Sequence, residues 1–120
     1  MKELKIDDRL STNDVKKVYD KLIGVARKGK NSIIHYDEIM LIAGLDRENA
    51  HDRETVLGRM LGGISQHEMD CDRPPLSAIV VLKLKPQVPG KGFFGFNDTK
   101  LSDYEYWIKK INEVWKHWSK

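Results

Sequence analysis

The sequence predicts an α+β fold, and three observations support that prediction. Apolar residues recur at helical spacing in three stretches of the first 67 residues. A run rich in β-branched side chains then follows two consecutive prolines, and the last 19 residues form an amphipathic segment. This order matches the winged helix-turn-helix plan. We therefore predict a winged-helix-like three-helix unit, a β-hairpin, and a C-terminal aromatic helix that caps the core.

Start and stop signals in the first half of the chain predict three helices. N-cap oxygens open the first helix, acidic residues open the second, and Gly44 stops the second. The third segment keeps its apolar side chains on one face. The predicted elements are a first helix from residue 11 to about residue 28, a short strand at residues 33–34, a second helix at residues 37–43, and a third at about residues 51–67.

The second half predicts a hairpin and a last helix. The prolines at 74–75 end the third helix, because proline lacks a donor and disfavours the helical region before it. Residues 76–84 predict a buried strand, and residues 93–96 return antiparallel after a loop at 86–92. A capping-box pattern at 102–105 opens the last helix. Its apolar stripe, which packs on the core or forms the seam of a homodimer, contains Tyr104, Trp107, Ile108, Ile111, Val114, Trp115 and Trp118.

Composition sets the class of protein. The chain has 120 residues, a formal net charge of +3 and one cysteine, Cys71, so no intramolecular disulfide can form. We expect a single cytoplasmic domain over residues 1–120, with a flexible arm at residues 1–10. No apolar run approaches the ~18 residues of a membrane span. We expect no cofactor, no metal site and no membrane contact.

Two stretches carry resemblances. The residues Glu68, Arg73-Pro74, Leu76-Ser77, Val80-Val81 and 89–94 (PGKGFF), followed by an aromatic helix, resemble a family of small uncharacterised bacterial and phage proteins. The resemblance covers about half of the chain and implies a bacterial or phage source.

A second resemblance lies further upstream. The pattern Tyr36-Asp-Glu-Ile39, Gly44, Arg53, Gly58 and Leu61 is similar to the helix-turn-helix of alkyltransferase-like DNA-repair proteins. The Pro-Cys-His-Arg reaction motif of those proteins has no counterpart here. The resemblance therefore implies a fold and a DNA partner, and it implies no alkyl transfer to cysteine.

The loop at 89–92 predicts an anion site. Gly90 and Gly92 permit backbone donors to turn the same way around Lys91. Arg73 and Ser77 at the start of the predicted strand would add a guanidinium and a hydroxyl. Two alternatives stay open: the loop is a plain turn, and Arg73 pairs with Glu68 or Asp70 to lock the corner between helix and strand.

Glu68 is the candidate acid or base. It lies in an acidic cluster at residues 67–72, where it would share a helical face with Asp72 if the helix persisted to residue 74. No Gly-x-Ser-x-Gly pattern surrounds Ser77, which argues against a serine hydrolase. A small hydrolase or nuclease using Glu68 with Arg73 and Ser77 is therefore an alternative function.

The favoured function is a non-enzymatic module that recognises nucleic acid or a nucleotide-like anion. Basic and acidic residues offset one another on the third helix, so duplex DNA binding should be weak and salt-sensitive. A protein-interaction or inhibitor module acting through the aromatic helix is a further alternative.

Overall fold

The computed structural model of the chain describes residues 12–85 and 87–119, so the arm predicted at residues 1–10 lies outside the described residues. The described residues form an α+β arrangement of five α-helices and a two-stranded sheet. A π-helical turn at Asp52–Val56 and a 3-10 turn at Leu76–Ile79 complete it. The elements are α1 (Thr12–Ala26), β1 (Ile34–His35), α2 (Tyr36–Ala43), α3 (Leu57–Asp70), β2 (Val80–Val81), α4 (Lys91–Phe94) and α5 (Asp103–Trp118).

Two helix ends lie where the sequence contains a clear capping signal. Gly44 adopts a left-handed φ of 71° and caps α2, as predicted. Ser102 accepts a hydrogen bond from the Glu105 amide at 3.2 Å and donates one to the Glu105 carboxylate at 2.9 Å. The predicted capping box of α5 is thereby confirmed.

The third helix starts near residue 51, as predicted, but its first turns are not regular. The π-helical turn Asp52–Val56 joins a helical start at residues 50–51 to the regular α-helix from Leu57. At the other end α3 continues to Asp70, and Asp72 then takes a φ of 60°. The helix therefore does not persist to residue 74, and Asp72 does not share a helical face with Glu68.

The predicted β-hairpin is wrong. Residues 76–79 form a 3-10 turn, and β2 contains only Val80 and Val81. This strand pairs in parallel with β1, with Ile34 opposite Val80 and His35 opposite Val81. A parallel pair requires a crossover, which α2 and α3 supply. The apolar run therefore reflects burial of residues 76–81 and not a long strand, and Leu82 and Leu84, predicted to be buried, are exposed.

The predicted return strand at 93–96 is also replaced, because the short helix α4 occupies residues 91–94. Phe93 is 4% exposed, and its ring lies 5.6 Å from that of Tyr106 on α5. The helical turn lets this aromatic side chain reach the core directly. The burial of Phe93 therefore outweighs the β-propensity of this segment, and a helical turn forms in place of a strand.

Helix α5 docks on the core through most of its predicted aromatic stripe; Tyr104 is the exception, because its side chain is 63% exposed. Trp107 is 9% exposed and donates its indole N–H to the carbonyl of Ala78 at 2.9 Å. Trp115 and Trp118 are half-buried against the same core. Within the described part of the chain, no helix is both long enough and apolar enough to cross a membrane.

Replacing Trp107 with alanine should destabilise the protein by about 3–5 kcal/mol, because it empties a buried volume and leaves the Ala78 carbonyl unpaired. The matched control is Tyr104→Ala one turn earlier, where the side chain is 63% exposed and the loss should stay below about 1 kcal/mol. Urea unfolding followed by far-ultraviolet circular dichroism measures both. Equal losses for the two variants would contradict the docking of α5.

Candidate functional site

Five polar side chains meet where α3 faces the segment that follows it, and we call them the polar clamp: Tyr19, Ser65, Glu68, Arg73 and Ser77. Ser65 and Glu68 lie three residues apart on α3, so they share one helical face, and both are fully buried. Each holds one residue of the segment 73–77. Buried polar groups require partners, and the clamp supplies them within the chain.

Glu68 is the centre of the clamp. Its Oε2 atom accepts hydrogen bonds from Arg73 Nη2 at 2.6 Å, Arg73 Nε at 3.0 Å and the Tyr19 hydroxyl at 3.1 Å. The Arg73 backbone N–H also donates to the Glu68 carbonyl at 2.8 Å. Of the two alternatives for Arg73, the pairing with Glu68 is the one observed.

The ion pair also affects the protonation of its members. The hydrogen bond to Glu68 raises the pKa of Arg73, so its guanidinium stays charged although partial burial opposes this. Burial, followed by the charge of Glu68, raises the pKa of Tyr19 and keeps its hydroxyl protonated. The Oε1 atom of Glu68 is buried and accepts no hydrogen bond from any described residue. The Glu68 side chain is therefore enclosed and its charge is neutralised internally.

Ser77 is enclosed in the same way. Its side chain lies 2.6 Å from the Ser65 hydroxyl, and its backbone N–H donates to Ser65 Oγ at 3.0 Å. The residue is 3% exposed. Ser77 therefore fastens the 3-10 turn to α3, and its hydroxyl does not face solvent.

The loop at 88–92 is anchored elsewhere. The Gly90 N–H donates to the Tyr36 hydroxyl at 2.6 Å, and a Cβ at Gly90 would lie 3.1 Å from that oxygen. Burial raises the pKa of Tyr36 against the opposing effect of this bond. Gly92 lies in α4, and the side chain of Lys91 lies outside the described part of the structure. The structure thus joins Arg73 to Glu68, Ser77 to Ser65, and Gly90 to Tyr36.

The outer face of α1 is a second feature, and no sequence motif marks it. Its exposed cations Lys17 and Lys21 lie four residues apart and so share one side of the helix, and the exposed Lys28 lies in the turn that follows. Beside them, Lys16 pairs with Asp20 at 2.9 Å. A count of charges by segment would have found it, because residues 12–30 contain six basic and two acidic side chains.

Acidic side chains predominate around an open cleft. Its volume is about 550 Å³, and within it Arg47 pairs with Asp37 at 3.5 Å. Four acidic side chains exceed its two basic ones, so the cleft repels anions. No group of three or more described His, Cys, Asp or Glu side chains is placed to hold a metal ion. The cleft is lined by Asp37, Glu38, Leu41, Leu45, Asp46, Arg47, Glu48 and Lys83.

We expect Glu68→Gln to destabilise the protein by about 3 kcal/mol, because it leaves the Arg73 guanidinium without its counter-ion in a partly buried site. The control is Asp70→Asn, which changes an exposed carboxylate on the same helix and should cost under about 1 kcal/mol. Urea unfolding measures both variants. If the two losses agree within experimental error, the clamp does not hold the corner.

Alkaline pH should weaken the fold through Tyr19. Its pKa is raised in the folded state, so its contribution to stability is complete below the unfolded value of about 10 and is lost as the pH rises through the folded value. Unfolding midpoints in urea between pH 8 and pH 11 should fall less steeply for Tyr19→Phe than for the natural chain. Tyr104→Phe, which removes an exposed hydroxyl, is the control. Parallel profiles for the natural chain and Tyr19→Phe would exclude this contribution.

Comparison with known proteins adds no relative. No family model matches the chain, and no match was found among curated proteins or solved structures. The function must therefore be argued from the residues of this chain.

Proposed function

We propose that the protein is a non-enzymatic module that binds nucleic acid through the exposed basic face of α1. The observation that carries the proposal is the separation of charge along the chain. Residues 12–30 contain six basic and two acidic side chains, whereas residues 31–120 contain twelve and thirteen. The positive charge of the protein is thus concentrated in one helix and the turn that follows it.

The shape of this surface favours the binding of an extended anion over that of a compact one. Lys17 and Lys21 lie on a helix of 15 residues, which is about 22 Å long, and Lys28 lies two residues beyond its end. Among the described residues, none of these three lysines has an ion-pair partner. Because the cations are spread along a line and do not converge on a point, they suit a phosphodiester backbone better than a single nucleotide.

The winged-helix interpretation belongs to this proposal in a modified form. The order of α1, α2 and α3 is that of a three-helix unit of this kind, but the charge does not lie on the helix that would enter a major groove. Gly58, Arg59, Gln66 and Asp70 occupy the exposed positions of α3, where one cation is offset by one acid, which is a poor surface for phosphate. We therefore assign α1 to the contact with phosphate and expect little sequence selectivity.

The other candidate functions receive less support. A hydrolase would need Glu68 and Ser77 at a surface that substrate can reach, whereas they are 0% and 3% exposed. An interaction module acting through the aromatic stripe would need those rings free, and Trp107 is buried. Arg73, the centre of the anion site predicted from sequence, already has a carboxylate partner.

Reversing one charge on α1 and one in the turn that follows it tests the proposal. Lys17→Glu with Lys28→Glu should weaken binding to a labelled 20-mer at least tenfold at low salt and make the log–log salt slope shallower by about 2. Fluorescence anisotropy measures both quantities. Binding of heparin should weaken in parallel, because the contact is to phosphate-like charge.

The matched control is Lys85→Glu with Lys100→Glu, which changes two exposed lysines outside α1 by the same charge. It should retain most of the affinity. Equal losses in the two double variants would mean that only net charge matters, and the absence of binding by the natural chain would overturn the proposal.

A further inference from the structure

The end of α5 lies against the turn that follows α1. Trp115 donates its indole N–H to the carbonyl of Ser32 at 2.8 Å. Gly29 has a φ of 86°, and a Cβ at this position would come within 3.3 Å of Ser119. Asn31 also takes a left-handed φ, of 74°, which tightens the turn. Two segments far apart in sequence therefore form one corner of the molecule.

This corner is basic and carries aromatic rings. Segments 27–33 and 114–119 contain four lysine or arginine residues and no acidic residue. All four cations are exposed, and the half-buried rings of His117 and Trp118 lie 4.9 Å apart between their centres. We call this surface the basic corner; it consists of Arg27, Lys28, Lys30, Lys116, His117 and Trp118.

Two hydrogen-bonding groups at the corner lack partners. The Ser32 hydroxyl and the Trp118 indole N–H are buried, and neither has a hydrogen-bond partner among the described residues. A buried donor without a hydrogen-bond partner lowers the stability of the free protein. Trp118 is the last residue of α5 and its ring packs on the core, so a rotation of that side chain would be needed to bring its N–H to the surface. A ligand with acceptor oxygens could then pair with both groups.

We infer that the basic corner binds single-stranded nucleic acid in preference to duplex, an inference that rests on the function proposed above. A single strand offers phosphates to the cations, and it also offers unpaired bases whose faces stack on aromatic rings and whose edges accept hydrogen bonds. A duplex offers phosphates and groove edges, but its base faces are stacked on one another and cannot stack on the rings. The strand continues from the corner along the lysines of α1.

The test compares four labelled ligands on the full chain: a 12-mer single-stranded DNA, the RNA of the same sequence, the corresponding duplex, and heparin. Anisotropy should show both single strands binding about tenfold more tightly than the duplex. Trp118→Ala should weaken the single strands about tenfold and leave the duplex and heparin unchanged, whereas Trp118→Phe should keep most of the preference. Tyr104→Ala, an exposed aromatic at the opposite end of α5, is the control.

A readout on the natural chain covers the case in which Trp118→Ala fails to fold. The indole N–H signal of Trp118 should shift when single strand is added and stay in place with duplex. Equal affinity for single strand and duplex, or an unmoved Trp118 signal, would overturn the inference while leaving the proposed function intact. Failure of all four ligands to bind would instead overturn the proposed function.

Discussion

The rest of the structure depends on the buried carboxylate of Glu68. A charge with no exposure to water is tolerated only where it is paired and hydrogen-bonded, and here one oxygen accepts three hydrogen bonds from Arg73 and Tyr19. Those partners come from different places in the chain: Tyr19 lies on α1 and Arg73 lies just after α3. The pairing therefore ties α1 to α3 through Tyr19 and directs the chain into the 3-10 turn before β2, against which α1 packs. The Ser65–Ser77 contact secures the same segment one turn earlier on α3.

This arrangement separates the residues that build the fold from those that are free to meet a ligand. Arg73 and Ser77 have the chemistry of an anion site, but their polar atoms are engaged inside the protein. Among the described residues, Lys17 and Lys21 of α1 have no such engagement, and the opposite face of that helix forms part of the core. The acidic cleft beside α2 would repel a polyanion, which under the proposed function favours contact at α1. A helix that the clamp holds in place thus presents the charge, and the end of α5 adds aromatic rings to it.

The sequence predicted the features that local chemistry decides. The amphipathic face of α5, its capping box and the glycine stop of α2 follow from spacing and residue type. The hairpin prediction was wrong because the burial of residues 76–81 and of Phe93 depends on partners distant in sequence. In addition, β-propensity does not distinguish a buried 3-10 turn from a strand. The sequence does not decide whether Arg73 pairs with Glu68 or Asp70, because both lie near it in the chain. Glu68 is the partner because it lies on the buried face of α3. The basic face of α1 was countable in the sequence, but no motif marked it.

The central claim is that ligand binds at α1 and the basic corner, and that the polar clamp serves the fold. Backbone amide chemical shifts of ¹⁵N-labelled protein, recorded during titration with a single-stranded 12-mer, test it most directly. The account predicts that the largest changes fall at residues 17–32 and 116–119, with residues 65–77 and 88–92 nearly unchanged. Changes centred on Arg73, Ser77 and Gly90 instead would show that the clamp region is the binding site and would contradict the account.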